Sequence, residues 1–320
     1  MYKGFYGFTG DPFGLDPNPG LVFLTENHKK IMESLLDGVR NRKGFMLLMG
    51  ERGVGKTTLI RHFISLLGEK NKAVQLCRNF ETVEEILETI LLELELPVGE
   101  QSKSRMAEQL GEYLIQKAEI DETLIIVIDN AQDLSKEILE ELRLLAVQDP
   151  RRPSFLLEIF VGDFGIEEIM HSEGLKQLGQ RIVVRCMLGP LNEVESRQYI
   201  ESRLVRVGSS TSKVFTLEAL DLICSYGKGS PRVINMICYL ALSAGYALSK
   251  EKVDSAAVAD IVSILGRQKP GRGSRGESFI RGLADSFGKS PLITRISYAL
   301  LAYSFISGIA IYFYGWEWPF

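Results

Sequence analysis

The chain has 320 residues, of which 45% are apolar and 24% charged, and its 37 basic and 41 acidic side chains leave a formal charge of −4. That length favours about two domains with a substantial core, and the totals exclude a disordered chain, a collagen-like repeat and a polybasic nucleic-acid protein. A mean hydropathy of +0.05 is high for so much charge and points to one unusually apolar segment, residues 296–320.

Residues 1–20 are rich in aromatics, glycine and proline, which suits an ordered loop lying over another surface. They contain no basic stretch followed by an uninterrupted apolar run, so signal-peptide cleavage is not expected. Ile31, Met32, Leu35, Leu36 and Val39 recur at helical spacing and predict a helix over Glu26–Arg40. Five short apolar runs follow: Gly44–Met49, Ala73–Cys77, Leu124–Ile128, Leu156–Val161 and Ile182–Cys186. Runs with so little polar alternation, separated by helical stretches, predict an α/β fold with a parallel sheet covered on both faces. Pro190 closes this first unit, residues 1–190.

Residues 191–265 carry no strand-like run. Helical periodicity over Val194–Val207, Leu217–Tyr226, Val233–Leu248 and Ala256–Leu265 predicts a small all-helical second domain. Residues 266–295 form a Gly-rich basic linker, within which Phe279, Ile280, Leu283 and Phe287 share one helical face. Ile296 to Trp316 are 21 residues without a charge, enough at 1.5 Å per residue for a hydrocarbon core of about 30 Å. Tyr312, Tyr314, Trp316 and Trp318 gather at the far end like an interfacial belt, and residues 317–320 form a short tail. A single transmembrane helix is expected. Residues 267–295 hold seven basic side chains against two acidic ones, whereas only Glu317 is charged beyond the span. The positive flank keeps the N-terminal body cytoplasmic and favours anionic lipid at the linker over nucleic acid.

The four cysteines, Cys77, Cys186, Cys224 and Cys238, sit apart in apolar runs and are expected to be small core hydrophobes. Neither a disulfide framework nor a zinc site is expected. His28, His62 and His171 are scattered, with no metal role.

The chemistry-bearing motif is Gly50-Glu51-Arg52-Gly53-Val54-Gly55-Lys56-Thr57-Thr58, directly after the first strand and directly before a helical run. It matches the phosphate-binding loop G-x-x-x-x-G-K-[ST] at every fixed position. Glycines let the backbone turn so that its N–H groups face phosphate oxygens, and the helix start adds its dipole. Lys56 would reach the β- and γ-phosphates of ATP, and the Thr57 hydroxyl would ligate Mg²⁺. The run Leu124–Ile128 ends in Asp129, a second candidate Mg²⁺ ligand. Asn130 follows, where many related ATPases have a glutamate that orients the attacking water. An amide hydrogen-bonds water but does not accept its proton, so hydrolysis is expected to be slowed rather than abolished. Leu156–Val161 leads into Gly162-Asp163, which would lie near the γ-phosphate if that strand adjoins the first. Arg181 is a candidate arginine finger for a neighbouring subunit, ahead of Arg185. Arg232, in Gly229-Ser230-Pro231-Arg232, opens a long helix after a favourable proline and is a candidate nucleotide contact from the helical domain.

Taken together, these residues resemble the membrane-associated AAA+ ATPases of the general secretion pathway A (ExeA/GspA) type. The resemblance covers roughly residues 1–265. It rests on Phe5-Tyr6-Gly7-Phe8, Pro12-Phe13, Phe23-Leu24, His28, Lys43-Gly44-Phe45, Gly50–Thr58, Ala131-Gln132, Gln180-Arg181-Ile182 and Gly229–Arg232. It implies a P-loop AAA+ core with a helical lid, Walker A residues Lys56 and Thr57, and a Walker B Asp129. It further implies Asp163 at the sensor 1 position, Arg181 as the finger, Arg232 as sensor 2, and a homo-oligomer. Two residues depart from the family pattern: Asn130 replaces the usual glutamate, and Asp163 replaces the usual glutamine. The expected function is a bacterial inner-membrane ATPase serving protein secretion or exopolysaccharide export. Two alternatives remain, an ATP-binding scaffold with little turnover and a DNA-associated ATPase of the transposition-helper kind.

Overall fold

The computed structural model describes residues 2–14, 22–77, 80–98, 102–146, 155–172 and 174–266. The expected basic linker, the membrane span over residues 296–316 and the tail lie outside the described residues. Among the described residues no helix is long and apolar enough to cross a membrane. The chain forms two compact units, one of residues 17–190 and the other of residues 1–16 together with the residues from 191 on.

The first unit is built on five parallel strands: β1 (Phe45–Met49), β2 (Asn71–Leu76), β3 (Thr123–Asp129), β4 (Leu156–Gly162) and β5 (Ile182–Met187). Their spatial order is β2-β3-β4-β1-β5. Every residue of the three inner strands is buried, as expected where helices cover both faces. At one edge, β5 alternates buried and exposed positions instead. One face carries Met46, Leu48, Ile125, Val127, Ile159 and Val161, against α2 (Glu26–Arg40) and α3 (Lys56–Ser65). The opposite face carries Leu47, Ile126, Ile128 and Phe160. It packs against α4 (Val83–Glu93), α5 (Lys103–Glu119), α6 (Lys136–Ala146), α7 (Gly165–His171) and α8 (Lys176–Arg181). Helix α2 has the bounds its periodicity predicts and begins at a reciprocal cap in which Thr25 and His28 satisfy each other's backbone N–H.

The order matters more than the strand count. Strand β4 pairs with β1 on one side and β3 on the other, Met49 opposite Gly162 and Asp129 opposite Val161. The C-terminal ends of the three inner strands therefore lie side by side at one end of the sheet.

The second unit holds α9 (Glu193–Val205), α10 (Thr211–Val214), α11 (Leu217–Gly227), α12 (Pro231–Ala247) and α13 (Ser255–Gly266). Its only strand-like pairing among the described residues is a single bridge, Phe215 to Val253. The N-terminal residues pack here rather than on the sheet, so the first unit is not continuous from residue 1 as the sequence suggests. Aromatic chemistry explains the attachment. After α1 (Tyr2–Phe5), Tyr2 stands edge-on to Tyr239 at 5.7 Å and Phe5 to Tyr246 at 5.6 Å. The Tyr6 hydroxyl donates to the Lys250 carbonyl at 3.0 Å, the Thr9 N–H donates to the Val207 carbonyl, and Phe13 is fully buried. Cys77 also departs from expectation. It follows the end of β2 and is exposed, whereas Cys186, Cys224 and Cys238 are buried.

Candidate functional site

The loop between β1 and α3 is shaped by its glycines. Gly55 precedes the helix with φ of 104°, a left-handed conformation that a side chain would strain. Gly50 lies so close to the Leu188 carbonyl that a Cβ there would overlap its oxygen. These two positions let the loop wrap back over the start of α3, where Lys56 is the first helical residue.

The Lys56 ammonium lies inside this wrap. It donates to the Gly50 carbonyl at 2.7 Å and the Glu51 carbonyl at 3.0 Å. Burial lowers its pKa from the ordinary lysine value, while the carboxylates of Asp129 and Asp163 act the other way. One residue on, the Thr57 hydroxyl donates to Asp129 Oδ2 at 2.6 Å, tying the start of α3 to the end of β3. Thr57 and Asp129 thus present one hydroxyl and one carboxylate side by side. Such hard oxygen donors suit magnesium, which takes few protein ligands and completes its shell with phosphate oxygens and water. Among the described residues no three His, Cys, Asp or Glu side chains gather into a metal cluster of their own.

Asn130 has left-handed backbone angles (φ 56°, ψ 40°), and its N–H donates to Asp129 Oδ1 at 3.0 Å. Asn130 is exposed. Asp163, just beyond β4, is held from three directions. Its Oδ2 accepts from Arg52 Nε at 3.1 Å, its Oδ1 accepts from the Gly165 N–H at 3.1 Å, and its own N–H donates to Gln132 Oε1 at 3.1 Å. Arg52 also approaches Asp133, at 3.7 Å.

The structure therefore brings Gly50 through Thr58, Asp129, Asn130 and Asp163 together at the ends of β1, β3 and β4. Within the same unit it leaves Arg181 outside that group. Arg181 is exposed at the end of α8. Arg232 is exposed in the first turn of α12 in the other unit. Arg185, the second finger candidate, donates to the Gly179 carbonyl and pairs with Glu167 at 3.6 Å. Gln132 and Asp133 carry no site role in the sequence reading. They reach the site because the short 3-10 turn Ala131–Asp133 folds back beside the end of β4. A polar pair three and four residues beyond a strand-ending aspartate was the available signal.

Residues 39–170 match the family model of an AAA domain. The chain is 30% identical over 254 residues to general secretion pathway protein A of Aeromonas hydrophila. The match takes in 79% of this chain and 46% of that protein, so the chain spans about half the length of its curated relative. Among solved structures, the Aeropyrum pernix ORC2 protein in ADPNP–ADP complexes is similar with a TM-score of 0.60 and 18% identity, over 80% of this chain and 72% of that one. Cdc6p from Pyrobaculum aerophilum gives 0.61 and 17%, over 77% and 68%. At such identities these two show the fold alone.

Proposed function

Starting from a chain that carries an AAA domain and is related to general secretion pathway protein A, we propose a membrane-anchored ATPase of a bacterial envelope export system. In this reading it binds ATP with Mg²⁺ and hydrolyses it to drive assembly or operation of machinery for protein secretion or exopolysaccharide export. The observation that carries the nucleotide part is the Lys56–Thr57–Asp129 cluster at the strand ends, with a wrapped loop and a helix start beside it. Loop N–H groups and the α3 terminus supply donors and partial positive charge for the phosphates. Lys56 exchanges its two carbonyl partners for phosphate oxygens, and Thr57 and Asp129 hold the magnesium. That ion, when bound, neutralises charge on the phosphates.

The remaining assignments belong to the same proposal. Arg181 enters a neighbouring copy's site as a finger, Arg232 contacts the nucleotide from the helical lid, and the chain works as a homo-oligomer. The lid spans residues 191–265 and the anchor residues 296–316. The linker between them lies on anionic lipid, and the ATPase body faces the cytoplasm. The relation to a general secretion pathway protein supports the secretion assignment, and the uncharged run of 21 residues supports the anchor.

The test is ATP binding by the full chain with and without Mg²⁺. Wild type is expected to bind in a Mg²⁺-dependent manner and Lys56→Ala to lose binding by at least about tenfold, the loss of one charge-assisted contact to a phosphate. Equal affinities in the two proteins sink the nucleotide assignment. A second reading, a nucleotide-binding scaffold with little turnover, draws on Asn130, whose amide is no proton acceptor.

A further inference from the structure

We propose that Asp163 supplies the carboxylate that Asn130 lacks: it accepts the proton of the water that attacks the γ-phosphate, with Arg52 as its positioning residue. The inference rests on the reading of the site as an ATP site. It adds a catalytic base that neither the loop motif nor the AAA family match assigns.

Consider which carboxylates the site offers. Asp129, held by the Thr57 hydroxyl at 2.6 Å and the Asn130 N–H at 3.0 Å, is the expected magnesium ligand, and a carboxylate committed to the metal is a poor proton acceptor. Glu51 is exposed on the loop. Asp133 is 40% exposed and only at the rim of the Arg52 guanidinium. Asp163 differs from all three. Its side chain is 25% exposed, and it sits beyond the strand between β1 and β3. Its charge, like that of Asp129, is felt by the Lys56 ammonium, the group that marks where the terminal phosphates lie.

The carboxylate is also held in one orientation. Arg52 fixes Oδ2, the Gly165 N–H fixes Oδ1, and the Gln132 amide oxygen fixes the backbone beneath. Ionised carboxylate oxygens have about four lone-pair sites, and these two bonds use two of them. Each oxygen keeps an acceptor site for water. A positioned acceptor of this kind is what general-base assistance requires. Gly162 lets Gln132 take this place, because a Cβ there would sit 2.8 Å from Gln132 Oε1.

The step balances with ATP and water alone. The water oxygen forms a bond to the γ-phosphorus as the bond from that phosphorus to the β–γ bridging oxygen breaks. The bridging oxygen leaves on ADP with the electron pair. The water proton passes to Asp163, which afterwards releases it to solvent.

The experiment measures ATP–Mg²⁺ binding and phosphate release separately, on the full chain. Asp163→Asn, which keeps the shape and the acceptor for Gly165, is expected to bind ATP within about threefold of wild type and to lose about 10²-fold in turnover. Asp163→Glu is expected to retain turnover well above Asp163→Asn, because it keeps a carboxylate. Arg52→Lys is expected to lower kcat with little change in KM. Turnover by Asp163→Asn within twofold of wild type overturns the proposal, as does equal loss in the Asn and Glu variants. So does a wild type that binds ATP but releases phosphate no faster than Lys56→Ala. A wild type that binds no ATP–Mg²⁺ at all is a different failure and removes the ATP-site reading itself.

Discussion

At the scale of single residues, Glu158 stands apart from the site. It lies in the middle of β4, fully buried, and neither carboxyl oxygen has a hydrogen-bond partner among the described residues. Burial holds its carboxyl well above the usual carboxylate range. The folded chain therefore keeps a proton that the unfolded chain sheds near pH 4.3 or so. Its stability contribution is complete below that unfolded value and is lost as pH rises toward the folded one. Glu158→Met is expected to flatten the pH dependence of unfolding and to gain about 1–3 kcal/mol at pH 8, since no unpaired acid remains in the sheet. Urea titrations at pH 5 and pH 8 test this, and identical pH trends for the two proteins contradict it. Glu158 was not legible beforehand. In Leu156–Val161 it reads as one polar residue in an apolar run, and only its neighbours show that both faces of that strand are covered.

Among elements, the N-terminal segment and strand β4 show what sequence pattern withholds. The aromatic opening of the chain predicts contact with some surface but carries no periodicity to say which one. Its partners, Val207, Tyr239, Tyr246 and Lys250, lie some two hundred residues away in sequence. Tyr2 is nearly buried, and its hydroxyl donates to Asp11 Oδ1 at 2.7 Å. Tyr2→Ala is expected to destabilise the helical unit by roughly 3 kcal/mol, through lost burial and one lost hydrogen bond to Asp11, whose Oδ1 keeps the Phe13 N–H. Thermal unfolding followed by a probe in α12 checks this, and an unchanged midpoint shows that the segment is ornamental to that unit. Strand β4 is legible as a strand from its apolar run. Its insertion between β1 and β3 is not, because pairing order leaves no mark in local sequence.

Two predictions concern the whole molecule. If Arg181 acts in trans, Arg181→Ala and Lys56→Ala are each inactive alone but complement when mixed. A Lys56→Ala copy still offers its arginine to the intact nucleotide site of its neighbour. Phosphate release by the mixture above the sum of the separate proteins is expected, and strictly additive rates exclude a shared site. For the anchor, the full chain is expected to stay with membranes through alkaline carbonate extraction. Replacing Ile306 and Ile309 by lysine is expected to release it, since each lysine near the span centre costs about 2.5–3.5 kcal/mol. Retention of that double variant in the pellet argues against a span over residues 296–316.

The sequence by itself determined the α/β class, the five strands, the phosphate loop and the aspartate that ends the third strand. It could do so because burial on both sheet faces and tight glycine turns each demand particular residue types at short spacing. The same short-range logic yields Glu26–Arg40 and the uncharged run at the C-terminus. Tertiary structure alone decided that β4 lies between the other two site-bearing strands, that Gln132 joins Asp163 there, and that the first residues belong with the helical unit. Those facts depend on pairings across tens to hundreds of residues, which arise from how whole faces are covered. Asp163 is the clearest case: the sequence makes it a site candidate only on condition that its strand adjoins the first, and the sheet order meets that condition and sets it beside the phosphate loop.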